Sequence, residues 1–377
     1  MMLPAVAGFV VIIVVLWDAF ETIVLPRRVT RRFRLTRLFY RSTWRPWRGI
    51  AQQVKNTRLR ETFLSYFGPL SLLFLFIVWA VVLILGFGLV YYGAANAEGV
   101  PHRYATAAYL SGTTFFTLGL GDVTPHTSFE RFIAVVESGL GFGFLALVLS
   151  YLPVIYQAFS RREVNIVLLD ARAGSPPTAA ELLRRHSGTH GLDALQILLH
   201  DWERWAAEIL ESHVSYPVVS YFRSQHNNES WVAALAAILD SSALLIASSE
   251  GECARQARLT FAMCRHAVVD LTQVFSAAPR ADSVDRLPPA DFQRMHATLA
   301  SEGFNLPDTP EANAKLTKLR HMYEPYLRAL SEHLYMELPP WILAKEITDN
   351  WKTSAWGRIS GFANQPQQDA SPDDHSG

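Results

Sequence analysis

Three long apolar runs dominate the first part of the chain, and basic residues lie next to each of them. The runs extend from Leu3 to Leu25, from Phe63 to Tyr92 and from Phe132 to Phe159. About 20 apolar residues suffice to cross the hydrocarbon core of a bilayer as a helix, so each run predicts a transmembrane helix. The middle run is long enough that its helix should tilt or protrude.

Basic residues indicate which ends of these helices are cytoplasmic. Arg27 and Arg28 follow the first run, and Arg161 and Arg162 follow the third. The positive-inside rule therefore predicts an external N-terminus, an external loop at 94–131 and a cytoplasmic C-terminal region. A secretory signal, the alternative for the first run, would carry its positive charge before the apolar stretch. We expect a multi-pass protein of the plasma membrane.

A shorter apolar segment lies inside the external loop. Residues Tyr104 to Phe116 carry no charge and have the length of a helix, but they are too few to cross the membrane. Between two spans, this segment is expected to be a re-entrant pore helix that packs inside protein. The alternative is an ordinary surface helix of the external loop.

Glycine alternates with other residues directly after this segment, in the order Thr117-Leu118-Gly119-Leu120-Gly121-Asp122. Glycine adopts backbone angles closed to other residues, which allows successive carbonyl groups to face one axis. Flanked by two spans, the hexamer resembles the selectivity filter of potassium channels, Thr-Val-Gly-Tyr-Gly-Asp. The resemblance covers residues 62–160, the pore module of that family.

The resemblance implies a passive potassium channel rather than an enzyme. Rings of backbone carbonyl oxygens from four subunits would replace the hydration shell of K+. One loop cannot surround an ion, so a homotetramer is expected, with K+ as the permeant ion and no cofactor or resident metal. The residues assigned to the ion sites and their outer mouth are Thr117, Leu118, Gly119, Leu120, Gly121 and Asp122, with Pro125 closing the turn that follows.

The sequence departs from the family pattern at three places. Leu120 replaces the Tyr or Phe whose ring braces the filter from behind. Tyr109 and Leu110 replace a frequent pair of tryptophans, and Thr113 lies where some members carry a buried Glu. These departures favour a less rigid filter, so a weakly selective monovalent cation channel remains the alternative.

The third span carries three glycines, Gly139, Gly141 and Gly143, followed by Pro153. In the family, a glycine near the middle of this helix serves as a gating hinge, and Gly141 aligns best with it. Pro153 removes one helix hydrogen bond and is expected to kink the helix. Close helix packing is the alternative explanation for the glycines.

Three acidic residues lie within the predicted spans. Glu137 is expected to pack behind the filter against Thr113 or Thr114, and these three residues are assigned to filter support. Asp18 and Glu21 share one helical face near the cytoplasmic end of the first span. They are expected either to pair with arginines such as Arg28 or to contact the pore domain during gating.

The segment from Arg27 to Arg60 contains twelve Lys or Arg residues and no acid. Arg28, Arg31, Arg34 and Arg37 repeat every third residue, as in voltage-sensing helices. A sensor needs partner helices with acidic countercharges, however, and only one span precedes this segment. A basic helix attracted to anionic lipid at the inner leaflet is therefore the preferred interpretation.

Composition separates a membrane part from a more polar C-terminal half. The chain of 377 residues is 50% hydrophobic and has zero formal net charge. Helical periodicity after residue 160 predicts an all-α cytoplasmic domain, with helices at 178–186, 191–214, 229–249, 252–276, 289–302 and 309–337. Val164–Leu169 alone resembles a strand, and no Gly-rich turn follows it, which argues against a nucleotide-binding α/β domain.

The second half shows no recognisable catalytic or metal-binding constellation. His186 and His190 are four residues apart but flank Ser187 and Gly188, which disfavours a helical metal pair. Cys253 and Cys264 lie about three helical turns apart and cannot pair with each other, which fits a reducing cytosol. No nucleic-acid partner is expected, and a cytoplasmic effector, if the domain binds one, is not identified.

The predicted fold is therefore an all-α membrane protein with three transmembrane helices, a re-entrant pore helix and an all-α cytoplasmic domain. The predicted boundaries are 1–26 for the first helix, 27–61 for the basic linker, 62–160 for the pore domain, 161–362 for the cytoplasmic domain and 363–377 for a disordered tail. A membrane-anchored receptor or sensor with a vestigial pore is the alternative from another functional class.

Overall fold

A computed structural model describes residues 3–25, 34–97, 103–188, 190–225, 228–280, 284–345 and 349–352. All regular secondary structure in these ranges is helical, as predicted. The α-helices are α1 (Leu3–Ala19), α2 (Leu35–Gln53), α3 (Thr57–Ser65), α4 (Phe67–Ala97), α5 (Tyr104–Phe115), α6 (Ser128–Ala173), α7 (Ala179–Arg185), α8 (Gly191–Ser215), α9 (Trp231–Ser248), α10 (Glu252–Phe275), α11 (Pro289–Ser301) and α12 (Pro310–Leu334). Short π or 3-10 turns occupy Phe20–Val24, Pro217–Tyr221 and Asn350–Lys352.

The chain forms two compact units, with their border between Gln157 and Ala158. Four segments of the described chain are long and apolar enough to cross a membrane: Leu3–Val24, Thr57–Ala95, Ser128–Ala173 and Trp231–Ser248. The first three contain the predicted spans. The fourth is α9, which is 89% buried inside the structure and is the core helix of the C-terminal unit.

Helices α1 and α4 pack closely because small residues lie where their backbones approach. A Cβ at Gly8 would lie 2.5 Å from the carbonyl oxygen of Gly86, so no larger side chain fits there without a shift. A Cβ at Gly93 would likewise lie 2.6 Å from the backbone nitrogen of Ala5. Small residues of this kind allow the van der Waals contact that holds helices together in lipid.

Asp18 and Glu21 lie at the C-terminal end of α1 and in the turn that follows it. Asp18 is buried and accepts hydrogen bonds from the Thr36 hydroxyl (2.6 Å) and from the indole of Trp79 (3.1 Å). Glu21 accepts from Trp17 (2.7 Å) and pairs with Arg34 at 3.8 Å. The partners of Asp18 are thus a hydroxyl, an amide and an indole, whereas an arginine was expected; the suggested partner Arg28 lies outside the described residues.

The basic linker forms α2 and α3. One face of α2 is aromatic: Trp47 stacks on Phe63 at 4.4 Å between ring centroids, and Trp44 packs on Phe67 at 4.7 Å. Arg37, Arg41 and Arg45 are exposed elsewhere on the helix. Of the arginines with the three-residue repeat, Arg28 and Arg31 lie outside the described residues.

Helix α6 is a single helix of 46 residues that continues through Pro153 into the C-terminal unit. Val164–Leu169, which resembles a strand in sequence, is part of this helix, in agreement with the predicted all-α domain. The β-branched residues that suggested a strand are tolerated because Ile166 and Leu169 are buried, with 2% and 1% of their surface exposed. Burial at helical spacing outweighs the intrinsic preference of single residues.

The C-terminal unit is a helical cluster around α9, whose residues Trp231 to Leu245 are almost entirely buried. Helices α8, α10 and α12 pack against one another or against α9. Thr178, Ser230 and Thr309 accept hydrogen bonds from backbone amides at the starts of α7, α9 and α12. The six predicted helices therefore exist with ends within three residues of those expected, because their caps and periodicity are readable.

Candidate ion pathway

The pore helix α5 leads directly into the filter segment, defined here as residues 117–122. The helix ends at Phe115, one residue before the predicted end. The carbonyl oxygen of Thr113 accepts hydrogen bonds from the amides of Leu118 (2.7 Å) and Gly119 (3.4 Å). Thr113 thus supports the filter segment through its backbone, while its hydroxyl donates to the Leu110 carbonyl at 2.9 Å.

The backbone of the filter segment alternates in handedness. Thr117, Gly119 and Gly121 have φ angles of +56°, +54° and +79°, whereas Leu118 and Leu120 between them lie outside this left-handed region. In an ordinary extended strand, successive carbonyl groups point to opposite sides. Reversal of handedness at every second residue is the local geometry that turns successive carbonyl groups toward the same side.

A hydrogen bond between Tyr109 and Asp122 joins the C-terminal end of the filter segment to α5. The Tyr109 hydroxyl donates to Oδ2 of Asp122 at 2.9 Å. The sequence interpretation treated Tyr109 only as a departure from a tryptophan pair. In the structure, its phenol links α5 to the filter, in a chain where Leu120 has no phenol to offer. The spacing of Tyr109 and Asp122 in the sequence does not predict this hydrogen bond.

A capping box fixes the return from the filter segment into α6. The Thr127 hydroxyl accepts from the amide of Glu130 at 3.1 Å, and the Glu130 carboxylate accepts from the amides of His126 (2.8 Å) and Thr127 (3.3 Å). This reciprocal pattern satisfies amides that the first turn of the helix leaves unpaired. Arg131 also donates to the Pro125 carbonyl at 3.4 Å.

Glu137 joins three helices behind the filter segment. The side chain is fully buried on α6; it contacts the Ser111 hydroxyl of α5 and accepts from the Tyr91 hydroxyl of α4 at 2.8 Å. The hydrogen-bond partners of Glu137 are thus Ser111 and Tyr91, while its expected packing against Thr113 or Thr114 stays a prediction.

The three glycines of α6 have different surroundings. A Cβ at Gly141 would overlap the carbonyl oxygen of Phe115, at the end of the pore helix. A Cβ at Gly139 or Gly143 would meet nothing within 4 Å in this single chain. Gly141 thus permits close packing of α6 on α5, which was the alternative explanation for the glycines. The proposed hinge role of Gly141 and the kink at Pro153 stay predictions.

The continuation of α6 beyond Phe159 is anchored inside the C-terminal unit by Arg162. This buried guanidinium donates to the carbonyl oxygens of Val219 (3.0 Å) and Phe222 (2.8 Å) and pairs with Glu163 at 2.9 Å. In return, Trp205 donates its indole N–H to the Arg162 carbonyl at 3.2 Å. The part of α6 that leaves the predicted pore is therefore a structural element of the C-terminal unit.

The candidate metal pair in the C-terminal unit is not supported. Nδ1 of His186 lies 2.7 Å from the Leu182 carbonyl, while the exposed His190 lies beside Asp193. No cluster of three His, Cys, Asp or Glu side chains that could hold a metal ion occurs among the described residues. Cys253 and Cys264 are buried and unbridged, in agreement with the sequence interpretation.

Residues 77–157 match the family model Ion_trans_2, whose description is "Ion channel". The match contains α5, the filter segment and the part of α6 that faces them, so this region is an ion-channel pore module. Bacillus subtilis (strain 168) has an uncharacterized membrane protein, YdjJ, that is 23% identical over 184 residues, which cover 46% of this chain and 52% of that protein. The chain thus spans about half the length of this curated relative. No solved structure matches the chain.

Proposed function

We propose that the chain conducts K+ passively across the plasma membrane as a homotetramer. The observation that carries this proposal is the alternating backbone of Thr117, Gly119 and Gly121 at the end of a pore helix. Such a backbone offers closely spaced carbonyl oxygens to a dehydrated ion. The carboxyl end of α5 adds partial negative charge, which favours a cation over an anion.

Fourfold assembly follows from the geometry of one filter loop per chain. In a single chain, the side chains of Leu118 and Leu120 are 61% and 64% exposed. If the carbonyl groups face the axis, these apolar side chains lie on the outside of the filter and need protein to cover them. Neighbouring subunits around a fourfold axis would cover the leucines and complete the ring of oxygens.

A weakly selective cation channel is the second candidate, and Leu120 favours it. A leucine offers no hydroxyl to hold the filter at a fixed diameter from behind. Tyr109 supplies a phenol from the pore helix, but it acts on Asp122 at the outer end. We therefore expect potassium to be preferred over sodium, by a smaller factor than a tyrosine-braced filter would give.

The membrane arrangement is proposed from charge and exposure. The arginines of α2 lie beside an aromatic face that packs on Phe63 and Phe67. Exposed Arg37, Arg41 and Arg45 would contact anionic headgroups at the cytoplasmic surface, with about 1 kcal/mol for each charge. This placement sets the N-terminus outside and the C-terminal unit in the cytoplasm.

The C-terminal unit is proposed to bias the pore through α6. Arg162 binds the carbonyl oxygens of Val219 and Phe222, so a rearrangement around Pro217–Tyr221 would act on the same helix that lines the pore. Among the described residues we recognise no site that would indicate the chemistry of an effector, so no effector is proposed.

Flux from liposomes tests the proposal. The purified protein, loaded into vesicles with a potassium gradient, should release K+ and should be blocked by barium. Gly119→Ala should reduce the flux at least tenfold, because alanine is disfavoured at a φ of +54°. Gly143→Ala, a glycine in open helical surroundings, is the matched control and should conduct. Folded tetramers whose vesicles stay tight would favour a receptor with a vestigial pore.

A further inference from the structure

A short segment after α12, residues 349–352, lies against the last turn of α6 and the end of α7. We call this segment the brace. Nη2 of Arg185 donates to both carboxylate oxygens of Asp349 at 2.9 Å. The backbone N–H of Trp351 donates to Oδ2 of Asp170, on α6, at 3.0 Å. These contacts are polar, and they join the brace to α6 and α7.

The two side chains that receive the brace are held in place by other groups. Arg185 also donates from Nε to Glu181 at 2.5 Å and from Nη1 to the Ala171 carbonyl oxygen, at the end of α6, at 2.7 Å. Oδ1 of Asp170 contacts the Ser175 hydroxyl. Arg185 and Asp170 are therefore positioned independently of the brace and form a preorganised site for it.

The brace itself buries little apolar surface. The Trp351 side chain is 59% exposed, and the ammonium group of Lys352 lies 5.1 Å from the centroid of its ring. Asp349, by contrast, is 3% exposed. Hydrophobic stabilisation is roughly proportional to the apolar area removed from water, so it contributes little here. The attachment of the brace depends mainly on one buried carboxylate, and it must offset the conformational entropy lost when the segment is ordered.

We propose that the brace is a releasable part of the fold, which leaves Arg185 and Asp170 while the helices of the C-terminal unit stay folded. Segments with few buried apolar contacts open at a lower free energy than the whole domain. Docking ties the last turn of α6 to the chain that follows α12, and release separates them. The open site presents Nη2 of Arg185 and Oδ2 of Asp170, which match a carboxylate and a backbone N–H two residues later.

Hydrogen–deuterium exchange of the full-length protein in detergent, read by mass spectrometry, tests this proposal. Asp349→Asn weakens the contact with Arg185, so we expect exchange within residues 349–352 to become about tenfold faster. Arg185→Gln should have the same effect on the brace. Lys352→Gln is the matched control: it removes an exposed cation 3.3 Å from the same carboxylate and should exchange like the wild type.

The double variant of Arg185 and Asp349 should exchange no faster than either single variant, because both substitutions remove the same contact. Peptides from α9 should be unaffected in Asp349→Asn. Equal exchange of the brace in Asp349→Asn and the wild type would overturn the docking contact.

Faster exchange of α9 in Asp349→Asn would show that residues 349–352 unfold only with the core, and would overturn their release. Wild-type exchange of the brace as slow as that of α9 would have the same consequence. The measurement requires no ion flux, so its outcome is independent of the proposed channel.

Discussion

At the scale of single residues, the account depends on polar side chains buried behind the filter segment. Glu137, Ser111 and Tyr91 come from three different helices, and the Glu137 carboxylate is the group that both hydroxyls contact. A buried hydroxyl without a hydrogen bond costs about 1–3 kcal/mol. The cluster therefore fixes the position of α5 relative to α4 and α6, and with it the filter.

Replacement of Glu137 tests this cluster. Glu137→Leu removes the acceptor of the Tyr91 hydroxyl and leaves the Ser111 hydroxyl with the Ile84 carbonyl, so we expect a loss of about 1–3 kcal/mol in stability and a large loss of potassium flux. Glu137→Gln keeps an oxygen acceptor and should retain most of both. Val135→Leu, on an exposed position of the same helix, is the control. Thermal unfolding in detergent and vesicle flux measure the two effects; equal behaviour of the Leu and Gln variants would contradict a positioning role.

A second residue-scale feature is His213, which lies in the core of the C-terminal unit. Burial and the nearby Arg162 guanidinium, 3.4 Å away, hold the pKa of His213 well below its usual value. The ring also contacts Trp231 and the Ser212 hydroxyl. The imidazole is therefore neutral in the folded protein, while it takes up a proton in the unfolded chain below about pH 6.5.

The sign of the pH effect follows from this difference. Below about pH 6.5 the unfolded state binds more protons at this position than the folded state. The free energy of unfolding therefore decreases as the pH is lowered, by up to about 1.4 kcal/mol per pH unit. His213→Gln should remove this component, whereas the exposed His190→Gln should not. Unfolding followed by tryptophan fluorescence between pH 5 and 8 measures it. A steeper pH dependence in His213→Gln than in the wild type would refute the assignment.

At the scale of elements, α6 contacts α5 closely at Gly141, whereas its surface at neighbouring glycines is open in the single chain. Gly141 packs against the end of α5, while Gly139 and Gly143 have free space around them in one chain. A substitution at Gly141 therefore disturbs packing as well as bending. The two effects are separated by comparing positions on the same helix.

Gly141→Ala is expected to destabilise the protein by about 1–3 kcal/mol, because its methyl group overlaps the Phe115 carbonyl and forces α5 and α6 apart. Gly143→Ala should be neutral or slightly stabilising, since alanine favours a helix by up to about 1 kcal/mol over glycine. Melting temperature and the fraction of tetramer measure the difference. If both variants melt alike, the close contact at Gly141 does not exist.

The sequence predicted the elements better than it predicted the contacts between them. Span lengths, the pore helix and the six C-terminal helices follow from hydrophobic periodicity and caps such as Thr178, which act within a few residues. The bond between Tyr91 and Glu137 joins residues 46 positions apart, and Tyr109 reaches Asp122 from another element. Such pairings depend on how helices pack, which no local pattern records. Val164–Leu169 resembles a strand by local preference but is helical, because burial at helical spacing overrides that preference.

At the scale of the whole molecule, the chain combines a pore module with a helical unit that holds the same long helix. Glycine contacts join α1 to α4, the Glu137 cluster joins α4, α5 and α6, and Arg162 anchors the end of α6 in the C-terminal unit. The ion-channel match covers residues 77–157, so the remaining helices would supply membrane anchoring and control. In the proposed channel, function at this scale depends on the filter segment acting in four copies.

The reversal potential of currents through the purified protein, in planar bilayers with potassium on one side and sodium on the other, tests this claim most directly. The account predicts currents that reverse close to the equilibrium potential for potassium and that barium blocks. Currents that reverse near zero would show equal permeability and would contradict potassium selectivity. The absence of any current from protein shown to be folded and tetrameric would contradict ion conduction.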